Sequence, residues 1–194
     1  KLYRTVAFVT ILSCAERFIG FIYRIFLSRY AGAEGLGLYQ IALSVAGVVV
    51  TLTASGIPVT VSRLMIKEKS LKGSKAGADV VTAGIIAALV VSVPVCLFLY
   101  FGKPFLKGIF ADERCYDVLL IMLPGIVLTS VYAVIRGFFW GNRYYGAYSI
   151  IELIEELSMF AAGVIIITKT HDAFSSAIGA GQAVLISYVV SFVI

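Results

Sequence analysis

Two stretches place ionisable side chains where an otherwise apolar chain has no ordinary use for them. ERFIGFIYR, residues 16–24, holds Glu16, Arg17 and Arg24, and YSIIELIEELSMF, residues 148–160, holds Glu152, Glu155 and Glu156. A guanidinium near the centre of a bilayer costs about 2.5 to 3.5 kcal/mol on insertion scales, so such a residue faces a wet cavity or a partner and is a functional candidate by default. Arg17 and Arg24 are seven residues apart, about two helical turns, and point the same way with Gly20 between them. The chemistry of such a stripe is anion binding. It reads as a cationic face turned to a central cavity that accepts an anionic head group.

The glutamates answer the arginines. Glu152, Glu155 and Glu156 are spaced by three and four, which puts all of them on one helical face. Three ionised carboxylates so close in a low-dielectric setting repel one another, so either a cation neutralises them or one or more hold a proton. At the helical rise, Arg17 lies about 18 Å into its span and Glu156 about 15 Å into its own, which makes them nearly level. If the two helices face each other, Arg17 and Arg24 are expected to pair with Glu155 and Glu156, while Glu16 and Glu152 complete the network. An ion network that only fixes packing is the bland alternative. Charges of both signs accumulating on two helices favour transport instead, with an anionic ligand taking the arginines and a proton or sodium ion taking the freed glutamates.

The elements that must carry these residues are set by composition. With 60% hydrophobic and 14% charged residues, and a mean hydropathy of +0.99, the chain is too apolar for a soluble domain. Its apolar runs have the length of membrane-crossing helices, and the ten-residue alternation of an outer-membrane barrel is absent. The expected fold class is all-α integral membrane, a six-helix bundle with spans near residues 5–28, 37–62, 78–101, 116–139, 146–168 and 173–194 of a single domain, 1–194.

Eight basic residues fall on the side of the amino terminus (Lys1, Arg4, Arg63, Lys67, Lys69, Lys72, Lys75, Arg143), against Arg29, Lys103, Lys107, Arg114 and Lys169 opposite. By the positive-inside rule the amino terminus is expected to be cytoplasmic. The net charge of +5 invites a nucleic-acid reading, but the basic residues sit between spans rather than along a polar face, and no nucleic-acid partner is expected. The chain begins at Lys1 rather than Met and ends in VLISYVVSFVI, inside an apolar run; it is expected to be a fragment, truncated at both ends.

Within the second span, SGIP at residues 55–58 interrupts the apolar run. Proline removes a backbone donor and glycine adds freedom, so a kink is expected at Gly56 and Pro58, and the pair is a candidate hinge. The segment beyond, PVTVSRLMIKEK, is either a surface-lying amphipathic turn or an ordinary helix end. YAGAEGLG, residues 30–37, superficially matches a nucleotide-binding loop, but with no strand before it the glycines read as a tight turn between helices. Arg136, with Trp140 and Tyr144 nearby, reads as an interfacial anchor whose head group snorkels to the surface. Cys14, Cys96 and Cys115 have no metal or disulfide spacing and read as packing residues; no metal site or cofactor is expected, apart from a coupling proton or sodium ion. Asp79 reads as an interface residue beside Lys75, Gln182 as an interhelical hydrogen bonder, and His171 as solvated.

The chain resembles the amino-terminal half of polysaccharide-type exporters in the multidrug, oligosaccharidyl-lipid and polysaccharide flippase superfamily, and within it the stage V sporulation protein B group. The resemblance rests on RFIGFIYRIFLSRYAGAEGLGLYQIAL at 17–43, GIPVTVSRL at 56–64 and LPGIVLTSVYAVIRGFFWGNRYYGAYSIIELIEEL at 123–157. It implies a protein of twelve to fourteen spans whose two six-helix lobes alternate between inward-open and outward-open states, with this chain as the first lobe. It also implies that Arg17 and Arg24 hold the pyrophosphate of an undecaprenyl-linked sugar. The glutamates of the fifth span belong to no motif carried over from the resemblance.

The favoured expectation is therefore a flippase for a lipid-linked oligosaccharide or cell-wall precursor in a bacterial inner membrane, with a carboxy-terminal lobe as partner and no covalent chemistry. A cation-coupled multidrug exporter of the same fold is the nearest competitor, and cavity arginines count against it. A structural membrane subunit and a membrane-embedded enzyme are the others; no HExxH, nucleophile elbow or acidic metal cluster supports the enzyme.

Overall fold

A computed structural model of the chain describes residues 2–72, 76–103, 108, 110, 112–170 and 172–194. Lys1, Lys75, Lys107 and His171, each given a role above, lie outside the described residues. Among the described residues the architecture is helical without strands: α1 (Leu2–Tyr30), α2 (Gly32–Ala54), α3 (Ile57–Lys72), α4 (Ala76–Phe101), α5 (Arg114–Gly141), α6 (Tyr145–Ile167) and α7 (Ala173–Val193). Four of these helices and the combined length of α2 and α3 are long and apolar enough to cross a membrane. The remaining one, α6, has 23 residues and matches them in length but carries the three glutamates.

The tight turn expected over residues 30–37 is shorter than its sequence suggests. Only Ala31 separates α1 from α2, and Gly32 takes the left-handed conformation (φ 68°) that reverses the chain. The glycines that follow are helical, so the second span begins at Gly32 rather than residue 37.

SGIP does break the second span. α2 stops at Ala54 and α3 starts at Ile57, with Pro58 in its first turn, where a missing N–H leaves no bond unmade. Thr60 N and Oγ1 both donate to the Gly56 carbonyl, at 3.2 and 3.0 Å, so part of the backbone freed by the break is satisfied locally. Of the two readings of the segment beyond, the structure gives the helix packed on the bundle. Val61 and Met65 are buried against α4 and α5. Gly137 lets α3 approach: a β-carbon there would lie 2.7 Å from Val61 Cβ and 2.8 Å from the Pro58 carbonyl. Lys69 also donates to Asn142 Oδ1 at the α5–α6 turn.

α5 is the centre of the bundle, packed against α2, α3, α4 and α7, while α6 lies on α7 and α1. Its core joins Leu27, Leu119, Met122, Ile126 and Ile167 with Ala42, Ala46, Ala177 and Ala180. Small residues at these crossings let helices close without a hydrophobic drive, as membrane packing requires. Cys96 and Cys115 are buried in this core, whereas Cys14, also expected to be a packing residue, is exposed on α1. Large apolar side chains on the outside, among them Val90, Phe98 and Phe101 of α4, form the surface expected of a lipid-facing helix.

Where α2 and α5 begin, an ionic clamp holds the loop end: Arg114 reaches Glu34 at 2.8 Å and Asp112 at 2.7 Å. The Arg114 side chain beside Asp112 holds that carboxyl below its usual range through their hydrogen bonds.

Candidate functional site

α1 sits at the edge of the bundle, resting on α6 and touching α2 and α7 lightly, so most of its surface is open. Glu16, Arg17, Gly20, Phe21 and Arg24 of α1 and Glu156 of α6 line one cavity of about 420 Å³. A second, of about 220 Å³, shares Gly20, Arg24 and Glu156 and adds Glu155 with a wall of Tyr23, Tyr39 and Tyr188. The arginine stripe and two of the three glutamates therefore open onto adjoining spaces.

The approach of α1 to α6 depends on Gly20. A β-carbon at that position would lie 2.7 Å from Glu156 Oε1, so the acid occupies the notch that glycine leaves. One turn on, Tyr23 is fully buried, edge-on to Tyr39 and Phe160 at 6.3 and 6.2 Å between ring centres. Its hydroxyl and Glu16 Oε1 are both enclosed without a hydrogen-bond partner among the described residues. Polar atoms so placed are costly to leave unpaired.

The pairing differs from the sequence expectation. Arg17 and Arg24 close no ion pair among the described residues, although they share a cavity with Glu16 and Glu156. Glu155, expected to meet an arginine, instead accepts a hydrogen bond from Ser191 Oγ of α7 at 2.5 Å. Glu152 is held by Arg136, whose Nη2 donates to Oε1 at 2.6 Å, and by Tyr148 Oη, which donates to the same oxygen at 2.5 Å.

Arg136 is thus not an anchor snorkelling to the interface. Its Nε donates to Tyr148 Oη and its guanidinium lies 4.9 Å from the Tyr148 ring centre and 5.8 Å from that of Trp140. The physical reason is that a carboxylate one helix away satisfies a cation better than a long reach to the head groups. The signal was present in the sequence: Tyr148 and Glu152 are four apart on one helix, and Arg136 and Glu152 stand at comparable distances either side of the short Asn142–Tyr144 turn.

Gly56 and Pro58 lie at the α2–α3 break, where a hinge was expected. Among the described residues no three His, Cys, Asp or Glu side chains are grouped to hold a metal ion.

Over residues 2–194 the chain matches the family described as polysaccharide biosynthesis protein. The chain belongs to that family. Its relatives include stage V sporulation protein B of Bacillus subtilis (strain 168), 29% identical over 143 residues that make up 73% of this chain and 27% of the relative. They also include lipid II flippase MurJ of the same organism, 22% identical, with 97% of this chain and 39% of the relative aligned. This member of the polysaccharide biosynthesis family spans well under half the length of the curated relatives it matches. No solved structure matches it. The family and the apolar helices together make it a multi-pass membrane protein.

Proposed function

We propose that this chain is the first lobe of a flippase that carries a lipid-linked saccharide precursor across a bacterial inner membrane by alternating access, with its amino terminus in the cytoplasm. The observation that carries the reading is that Arg17 and Arg24 line one open cavity with Glu16 and Glu156 while pairing with none of the described acids. A guanidinium offers a planar fork of donors matched to phosphate oxygens, and two of them a two-turn interval apart suit a pyrophosphate. That a relative is named a lipid II flippase supports this substrate class. An undecaprenyl-pyrophosphate-linked sugar is the specific form proposed.

Glu155 and Glu156 border the arginines without neutralising them, and in this account they take the coupling proton or sodium ion. Bound anion and bound cation then compensate each other, so the loaded and empty states carry less uncompensated charge than a half-loaded one. Access changes as the lobe rocks against a second lobe of the same polypeptide, with Gly56 and Pro58 absorbing the bend. The protein performs no covalent chemistry.

Photo-crosslinking tests the reading. In the full-length protein, a photoreactive residue at position 17 or 24 is expected to label a pyrophosphate-bearing polyprenyl lipid, and one at lipid-facing position 98 is not. Equal labelling at all three positions would contradict the assignment.

A further inference from the structure

Arg136, once paired with Glu152, borders a separate cavity of about 270 Å³ that the pyrophosphate reading does not use. Its walls include Thr51 and Ser55 at the end of α2 and the break, and Thr129, Tyr132, Arg136 and Trp140 of α5, set among apolar residues such as Val50, Pro58 and Val59. We infer that this cavity binds a sugar ring, the saccharide portion of the lipid-linked substrate, and the inference rests on the function proposed above.

The walls match what a neutral polyhydroxyl ligand requires. A pyranose has an apolar face of C–H bonds, which stacks on an aromatic ring, and a rim of hydroxyls, which needs donors and acceptors in several directions. Trp140 and Tyr132 supply the rings. Arg136 supplies directional donors: of the five N–H groups of a guanidinium, one goes to Tyr148 and one to Glu152, and the others remain for a ligand. Because Glu152 already balances the Arg136 charge, the cavity is not strongly cationic, which suits a sugar better than a second phosphate.

The enclosed hydroxyl of Tyr132 has no hydrogen-bond partner among the described residues, and two further polar groups on these walls are unoccupied. The indole N–H of Trp140 and the hydroxyl of Ser55 make no hydrogen bond among the described residues. Ser55 is an exception among the hydroxyls around it, because Thr51 and Thr53 of α2, Thr60 of α3 and Thr129 of α5 each donate to a carbonyl of the preceding turn. The position is also suitable. Glu152 and Glu156 are one turn apart on α6; Glu156 lines the arginine cavity and Glu152 holds Arg136 on the wall of this one, so a single turn of α6 reaches both spaces. A substrate whose pyrophosphate rests on Arg17 and Arg24 then has its sugar directed to Trp140.

The test compares two probes on the full-length protein in nanodiscs: bare undecaprenyl pyrophosphate, and the same lipid carrying one N-acetylglucosamine, whose equatorial ring presents an apolar face for stacking. Wild type is expected to bind the sugar-bearing lipid about tenfold more tightly. Trp140→Leu is expected to abolish that preference and Ser55→Ala to reduce it severalfold, both with unchanged affinity for the bare lipid. Trp140→Phe, which keeps a ring, is expected to retain most of the preference, and Ser55→Ala decides the matter if Trp140→Leu fails to fold. Equal wild-type affinity for the two lipids, or a preference untouched by Trp140→Leu and Ser55→Ala, would overturn the sugar site and leave the pyrophosphate reading standing. Failure of wild type to bind either lipid would overturn both.

Discussion

Glu156 of α6 occupies the space that a side chain at Gly20 of α1 would need, its Oε1 2.7 Å from where a β-carbon would stand. This contact joins the arginine-bearing helix to the acid-bearing helix, and it is where fold and function can be separated experimentally.

Gly20→Ala pits two effects against each other. Alanine gains roughly 0.5 to 1 kcal/mol over glycine in a helix interior, and the group it displaces is the flexible end of one carboxylate rather than backbone. The helix gain is expected to win, so thermal stability stays level or rises. Transport is expected to fall because Glu156 leaves its place beside Arg24. A variant that loses stability and activity together would show that the notch is structural only.

The Arg136–Glu152 pair should behave as a coupled unit. Both side chains are partly enclosed, with 36% and 26% of their surfaces exposed, so the full cost of orphaning a buried charge is reduced by solvent. Either Arg136→Leu or Glu152→Leu alone is expected to destabilise by about 1 to 3 kcal/mol, and the double variant by clearly less than the sum. A double-mutant cycle on thermal unfolding in detergent measures this, and additive effects would contradict the pairing.

Glu155→Gln and Glu156→Gln keep the shape of the side chain and remove its charge. If these acids take the coupling ion, either change is expected to flatten the dependence of transport on pH or on sodium while substrate still binds. An unaltered dependence in both variants would remove the glutamates from the coupling step.

A pH effect of opposite sign to that of a buried acid comes from the loop clamp. Hydrogen bonds from Arg114 hold the Asp112 carboxyl below its usual value. A depressed carboxylate contributes stability above its unfolded value of about 3.9, and that contribution is lost as pH falls through the lower folded value. Wild type is therefore expected to exceed Asp112→Asn in thermal midpoint at pH 6, with the difference closing below about pH 4. A difference independent of pH would show that the clamp acts through packing.

The membrane fold was legible because it depends on composition and length, which a sequence states outright. The charged stripe of α1 was legible for a related reason: an arginine in an apolar run stands out without any knowledge of its neighbours. The break at Ser55–Gly56 followed from backbone chemistry alone. Pairing was not legible in the same way. Arg17 and Glu156 are level in depth and Glu155 was expected to join their pairing, yet Glu155 turns to Ser191 on a helix the depth argument did not consider, and Glu152 turns to Arg136 across a short hairpin. Depth fixes one coordinate of a side chain, and choosing a partner also needs its bearing around the helix axis. The glycines at 35 and 37 misled the span boundary because a helical glycine looks the same in sequence as glycine in a turn; Gly35 sits at a close crossing, where a β-carbon would meet the Ala173 carbonyl at 2.7 Å, whereas Gly37 has open space around it.

The central claim, that free guanidinium groups on α1 receive a pyrophosphate, is tested most directly by the affinity of the full-length protein for bare undecaprenyl pyrophosphate. Arg17→Gln and Arg24→Gln are each expected to weaken binding by about tenfold or more, and Arg17→Lys to recover part of the loss by restoring charge without the fork. Wild-type affinity in both glutamine variants would contradict the account.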